Sequence, residues 1–172
     1  AHWIFDSIAR LLLIKKIQKK VHFDYLYVPS YKHHFQKEII KYLKIPIKKI
    51  ISSEKEKYIE GTEVICTTHP FAHRFDKISK PIFKEVRNKF INFAKLSKIK
   101  CYNKIYIERD YSNYNFETNL IKYKDHRILL NNQEVKTYLL NKGFKNLKLN
   151  TLSFADQIKI FSKAKIIISM FG

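Results

Sequence analysis

Arginine is the scarce cation of this chain: five of its 34 basic residues are Arg, at positions 10, 74, 87, 109 and 127. Arg109 closes the segment KIYIER, and Arg127 stands four residues before Asn131, which opens NNQEVKTYLLNKG. A guanidinium offers a planar fork of donors that fits phosphate oxygens, which a lysine ammonium cannot reproduce. Two arginines on one edge beside helix N-termini, whose free N–H groups also attract anions, describe a phosphate or diphosphate site. Asn131 and Glu134 stand at the start of one such helix, at capping-box spacing, and Ser153 and Gln157 at the start of another. A different chemistry is written in AHWIFDSIARL, where His2 and Asp6 are four apart and share a helix face. An imidazole made more basic by a carboxylate is a general base for a hydroxyl proton, although the same pair also serves as a plain surface contact. In CTTHPFAHRFDK, His69, His73 and Asp76 lie close together, but a Pro-containing turn without a clear third ligand argues against zinc, and no metal is expected.

For these groups to meet, the chain must bring strand ends and helix starts to one edge. KIYIER (104–109) is β-branched and aromatic and reads as a strand. NNQEVKTYLLNKG reads as a helix with Asn131 as N-cap, Glu134 as its capping-box partner and Gly143 as its stop. FKNLKL (144–149) is a short strand, and SFADQIKIFSKA is a second helix with Ser153 as cap and Asp156 in the first turn. KIIISM (165–170) is a continuous apolar strand of the kind buried on both faces. This β-α-β-α-β order with short connections implies parallel pairing and right-handed crossovers. All strand carboxyl ends then share one edge, where open α/β sheets hold their ligands. Arg109, the stretch 110–126, Asn150 to Ser153 and Met170 to Gly172 all arrive there. The connection after Arg109 is far longer than the about 2–6 residues usual between strand and helix, a mark of functional loops.

The first half follows a similar plan. Helical spacing runs from His2 to Ile17, with Ile4, Ile8, Leu11 and Leu12 on one stripe. FDYLYV (23–28), IKKIIS (47–52) and EVICTT (63–68) read as strands, and FQKEIIKYLK (35–44) as a helix. A further helix spans Ser79 to Leu96, with Pro81 tolerated in its first turn. LSKIKCYNK marks the boundary between two α/β domains, residues 1–97 and 98–172.

Composition narrows the class. Hydrophobic residues at 45% and aromatics at 15% are enough for a packed core, which argues against disorder. Two cysteines, Cys66 and Cys101, are too few for a disulfide framework; both flank apolar runs and read as small buried hydrophobes in a reducing compartment. No apolar run reaches the roughly 18 residues of a membrane span. The expected location is cytoplasmic, including the inner face of a membrane. A net charge of +19 favours anionic partners, with an anionic membrane surface among them. That charge is lysine in a chain rich in Ile, Asn and Tyr, the bias an AT-rich genome imposes, so nucleic acid is not expected as a partner. Tyr25, Tyr27, Tyr106 and Phe161 also read as core positions rather than as an open stacking face. The chain has no GxGxxG, P-loop, GxSxG or HExxH motif.

In order, AHWIFDSIARL, FQKEIIKYLKI, KIYIER, HRILLNNQEV and GFKNLKLNTLSFADQIKIFSKAKIIISMFG resemble glycosyltransferase family 61, which includes protein O-GlcNAc transferases and plant xylosyltransferases. The resemblance implies an α/β fold of two Rossmann-like domains of the GT-B type, the second incomplete in this chain. It implies an inverting transfer of a sugar from a nucleotide-sugar, typically UDP-linked, to a glycan or protein hydroxyl, with no cofactor and no metal. Arg109 and Arg127 would hold the diphosphate, with Asn131, Glu134, Ser153, Gln157 and Gly172 around the donor, and His2 or Asp6 would act as base. A part in cell-envelope polysaccharide synthesis follows by analogy only.

Departures from the family pattern fall at Glu108 (Ser in the family), Asn132 (Glu), Asp156 (Glu) and Phe171 (the His of a glycine loop). Gly172 is where that donor loop would begin, so the expectation is a truncated second domain whose last strand exposes apolar surface. Phe171 keeps open a non-catalytic, transferase-like scaffold, and the charge keeps open a basic nucleic-acid-binding module.

Overall fold

Helix α2 (His34–Leu43) illustrates how the sequence dictates its elements. Gln36, Ile39, Ile40 and Leu43 recur at the period of one helix face, and all four are buried. The Gln36 amide oxygen accepts the His33 N–H at 2.9 Å, closing the first turn. The helix ends on Lys44 in the left-handed region at φ 48°, a place usually given to glycine in a chain that has only three.

The computed structural model describes residues 3–17, 23–44, 49–67, 80–109, 114–115, 120–121 and 129–170. The chain divides into two compact units, Ala1–Phe93 and Ala94–Gly172.

In the first unit a π-helical turn (Trp3–Ile8) runs into α1 (Ala9–Ile17), and β1 (Tyr25–Val28) pairs in parallel with β2 (Lys49–Ser52) across the α2 crossover. Helix α3 (Lys80–Ala94) follows. Ile8, Leu11 and Leu12 of the expected stripe are buried with Leu26, Val28, Ile39, Leu43, Val86 and Phe93. Each such side chain contributes about 1.5–3 kcal/mol relative to exposure.

In the second unit β3 (Lys104–Glu108) lies between β6 (Lys145–Lys148) and β7 (Ile166–Ser169), parallel to both. Helix α4 (Asn132–Asn141) leads into β6, and α5 (Phe154–Lys163) leads into β7. A short antiparallel pair, β4 (Tyr114–Asn115) with β5 (Leu120–Ile121), sits within the long connection after Arg109. Gly143, at φ 79°, ends α4 in a Schellman motif: Phe144 N–H reaches Leu139 O and Gly143 N–H reaches Leu140 O, both at 3.0 Å. The stop expected at Gly143 is therefore present, as is the Ser153 cap of α5, whose Oγ accepts the Asp156 N–H at 3.1 Å.

Four expectations need correction. EVICTT forms no strand over its described residues, and Val64 is 71% exposed. β-branched residues favour a strand only where a neighbour and a buried face are supplied, and this segment has neither. Cys66 on that segment is accordingly exposed, while Cys101 is half-buried. Tyr25 and Tyr27 occupy the outward positions of β1 rather than the core, whereas Tyr106 is buried. Strand β7 is an edge strand with Ile166 and Ile167 nearly half exposed, not a strand buried on both faces. Among the described residues no strand pairs with the other side of β7.

Candidate functional site

The strand order β6-β3-β7 places a reversal at the centre of the second unit. From β3 the chain steps to one side through α4, and from β6 it crosses back over β3 through α5. Right-handed crossovers in opposite directions put α4 and α5 on opposite faces, the condition under which open α/β sheets hold ligands at the carboxyl ends of their strands. Arg109 follows β3 at this place and is half-buried; Ser169 and Met170 end β7 beside it. Asn131 and Glu134 stand at the start of α4, and Ser153 and Gln157 in the opening turns of α5, on the same edge.

The side chains are arranged less simply than the sequence suggested. Asn131 occupies the N-cap position of α4 but makes no side-chain cap hydrogen bond, and both it and Glu134 are exposed, so the expected capping box is not formed. Asn131 is at φ −95° and ψ 33°, outside the extended region from which a cap side chain reaches back to the first turn. Ser153 does cap α5, and Asp156 accepts in return from Ser153 and from Ser97 Oγ. Burial pushes the Asp156 pKa up, but these hydrogen bonds and nearby Lys159 outweigh it and hold the carboxyl below its usual range. Gln157 turns back on the loop before its helix, its Nε2 donating to Leu149 O at 2.9 Å and Leu152 O at 3.2 Å. Gln157 thus fixes the β6–α5 turn at the carboxyl edge of the sheet. Arg127 and Gly172, with Phe171, lie outside the described residues.

One group was not anticipated as a cluster. Tyr106 and Glu108, two apart on β3, face α4, where Asn132 and Lys136 are four apart. Tyr106 Oη donates to Asn132 Oδ1 at 2.6 Å, and Asn132 Nδ2 donates to Glu108 Oε1 at 3.3 Å. Lys136 Nζ reaches Glu108 Oε2 at 3.1 Å, and Asn146 of β6 donates to the same oxygen. The Glu108 side chain is only 9% exposed. Burial alone would raise its pKa; hydrogen bonds from Asn146 and Lys136, the Lys136 charge and Asn132 together lower it. The readable signal was strand period two on β3 matched to helix period four on α4. Its chemical effect is to lock the start of α4 and the end of β3 in register, one residue before Arg109.

In the first unit, Trp3 Nε1 donates to Ser30 O at 3.0 Å, two residues beyond β1, and the Trp3 ring meets Phe35 edge-on at 5.7 Å. The turn carrying Asp6 is therefore anchored at the carboxyl end of that unit's strands, and π-helical turns frequently mark functional positions. His2 lies outside the described residues, as does the side chain of Asp6. His33 and His34 open α2 and are exposed, as helix-start surface. His69, His73 and Asp76 lie outside the described residues, and among the described ones no three His, Cys, Asp or Glu side chains gather as a metal site.

These features sit in a chain that matches the family model Glycosyltransferase 61 over residues 1–172. The chain belongs to glycosyltransferase family 61. Its general activity is therefore sugar transfer, with a nucleotide-sugar as the general class of donor and a glycan as that of acceptor. No curated protein and no solved structure matches the chain. Among the described residues no helix is long and apolar enough to cross a membrane. In this family member the second unit is a parallel α/β sheet with Arg109 directly after its central strand β3.

Proposed function

We propose that this family 61 chain takes part in an inverting transfer from a UDP-linked sugar to a hydroxyl of a glycan or protein, in a GT-B arrangement of two Rossmann-like domains. The observation that carries the reading is the reversal of direction about β3, which sets Arg109 and the N-termini of α4 and α5 on one carboxyl edge. Arg109 and Arg127 would pair with the diphosphate, and the helix ends would add oriented N–H dipoles where negative charge develops on the leaving group. Asn131 and Glu134, exposed and without a mutual cap, are free of the one competing role the sequence assigned to them and would face the donor. Ser153, Gln157 and Gly172 would border it, Ser153 and Gln157 by holding the loop in shape. No metal or other cofactor is needed in this scheme, because the basic groups carry the leaving-group charge.

In the transfer, the acceptor oxygen forms a bond to the anomeric carbon as the bond from that carbon to the diphosphate oxygen breaks. The hydroxyl proton passes to His2 or Asp6, and the nucleoside diphosphate departs with the electron pair. Phe171, in place of the family's loop histidine, favours a second reading, a transferase-like scaffold without catalysis.

Calorimetric titration with UDP, GDP and CDP at low and high salt tests the first reading. Selective UDP binding that survives salt is expected, with Arg127→Ala weakening it by about 1.5–3 kcal/mol. Equal binding of all three that collapses with salt would reject the donor site and leave the scaffold. Unchanged UDP affinity in Arg127→Ala would remove that residue from the site.

A further inference from the structure

The amino edge of the second unit's three-stranded sheet is the opposite pole in charge as well as in direction. It is formed by residues 99–104 leading into β3, 141–145 between α4 and β6, and 163–166 between α5 and β7. Lys165 and Ile166 N–H both donate to Asn103 O, at 2.8 and 2.9 Å, and Lys104 Nζ donates to Lys142 O at 3.2 Å, so the three segments are bound to one another. They hold six lysines, Lys100, Lys104, Lys142, Lys145, Lys163 and Lys165, and no Asp or Glu. The described acidic residues of this unit, Glu108, Glu134 and Asp156, all lie at the carboxyl end of β3 or in the first turns of α4 and α5.

Helix dipoles account for Lys142 and Lys163, which follow or end helices and complement their negative C-termini. They do not account for the other four. Aromatic rings gather three of these ammonium groups instead: Lys100 and Lys145 both approach the Tyr102 ring, at 5.8 and 5.7 Å from its centroid. Lys104 lies 5.7 Å from Phe144, and Lys142 lies 5.6 Å from Tyr138. Like charges assembled on a ring platform repel one another until an anion is placed among them. Apolar groups stand exposed beside them: Tyr138 and Leu140 from the last turns of α4, and Ile166 at the start of β7.

We infer that this edge docks the protein on an anionic lipid bilayer, lysines among the phosphate headgroups and Tyr138, Leu140 and Ile166 at the boundary with the acyl chains. Lysine clusters beside exposed aromatic and aliphatic side chains match such an interface, where charge attraction and shallow apolar burial act together. A nucleic acid fits less well, because the edge has no arginine, its rings are engaged by lysines, and Leu140 and Ile166 would gain nothing from a phosphate backbone. Docking here leaves the carboxyl edge of the same sheet, with Arg109, on the side away from the lipid. The inference stands apart from the donor reading, since it involves none of that site's residues.

The test is flotation of the whole chain with vesicles of phosphatidylcholine alone and of phosphatidylcholine mixed with phosphatidylglycerol. Binding to the mixed vesicles only, weakening as salt rises, is expected. The triple variant Lys100→Glu, Lys145→Glu, Lys165→Glu should lose about 100-fold or more in partitioning, at about fivefold per lysine. A control with the same charge change on the first unit, Lys37→Glu, Lys55→Glu, Lys57→Glu, should lose far less. Amine-labelling footprints of the unaltered chain need no variant to fold: mixed vesicles should shield the six edge lysines and leave Lys37, Lys55 and Lys57 reactive. Equal loss in both triple variants, shielding elsewhere, or indifference to phosphatidylglycerol would overturn the assignment. So would a chain that ignores vesicles yet binds a single-stranded oligonucleotide through this edge.

Discussion

The two units end their central strands by different means. At the carboxyl end of β1, the Trp3 indole spans to Ser30 O and packs on Phe35, while Tyr27 Oη donates to Glu56 O at 2.9 Å and Ser53 Oγ to Pro29 O at 3.1 Å. Every one of these contacts uses an aromatic ring, a hydroxyl or a backbone carbonyl. At the carboxyl end of β3, the same task falls to a carboxylate, an ammonium, two amides and a phenol gathered around Glu108. The first arrangement is mostly neutral; its ion pair, Lys32 with Glu54 at 2.9 Å, is exposed to solvent and contributes little. The second depends on one charge that is satisfied by three side chains from two elements, α4 and β6, and it lies directly beside the arginine proposed to meet the donor. Strand ends can thus be fixed mainly by packing or by polar saturation, and the second ties the fold more closely to ionisation.

Removing the charge should expose the contrast most strongly. Glu108→Ala leaves the Lys136 ammonium unpaired and two amides short of a partner, and should cost about 3 kcal/mol in urea unfolding. Glu108→Gln keeps the shape and should cost less. It should also change the acid limb. The folded pKa of Glu108 lies below its ordinary value of 4.5, so its stabilisation is complete at neutral pH and is lost as pH falls from about 4.5 through the lowered folded value. Stability against pH should therefore fall less steeply in Glu108→Gln across that window, and an unchanged slope would detach the cluster from acid unfolding.

Trp3→Ala should cost about 2 kcal/mol, below the full core value because the ring is half-buried, and should leave the acid slope as it is. A slope that changes with Trp3→Ala would break the comparison. Ser153→Ala removes the α5 cap and should cost about 1 kcal/mol by thermal unfolding. Tyr106→Phe deletes one hydrogen bond to Asn132 and should have a smaller effect still, about 0.5–1.5 kcal/mol. If Tyr106→Phe equals Glu108→Ala, the phenol rather than the carboxylate organises the cluster.

Much of this was readable locally. The α2 stripe, the Gly143 stop, the Ser153–Asp156 cap and the position of every β-α-β-α-β element in the second unit follow from patterns within a few residues. The failures share a cause. Asn131 has the type and spacing of a cap, yet its backbone dihedrals withhold the bond, because the partner its helix start answers to is Glu108 through Asn132. EVICTT has the composition of a strand, but composition supplies no neighbour. KIIISM reads as doubly buried, but exposure is decided by what packs around β7, and among the described residues no strand pairs with its far side.

The sequence by itself determined the elements of the second unit and their order, the Gly143 stop, the Ser153 cap and the arginines that travel with them, since each rests on periodicity or on contacts three or four residues apart. The tertiary structure alone decided that β3 lies between β6 and β7, that Tyr25 and Tyr27 face outward, and that Glu108 becomes the centre of a polar clamp. Its partners Asn132, Lys136 and Asn146 are 24, 28 and 38 residues away. A charge at the end of a strand has no identifiable partner until the crossovers have chosen which helix and which neighbour stand beside it.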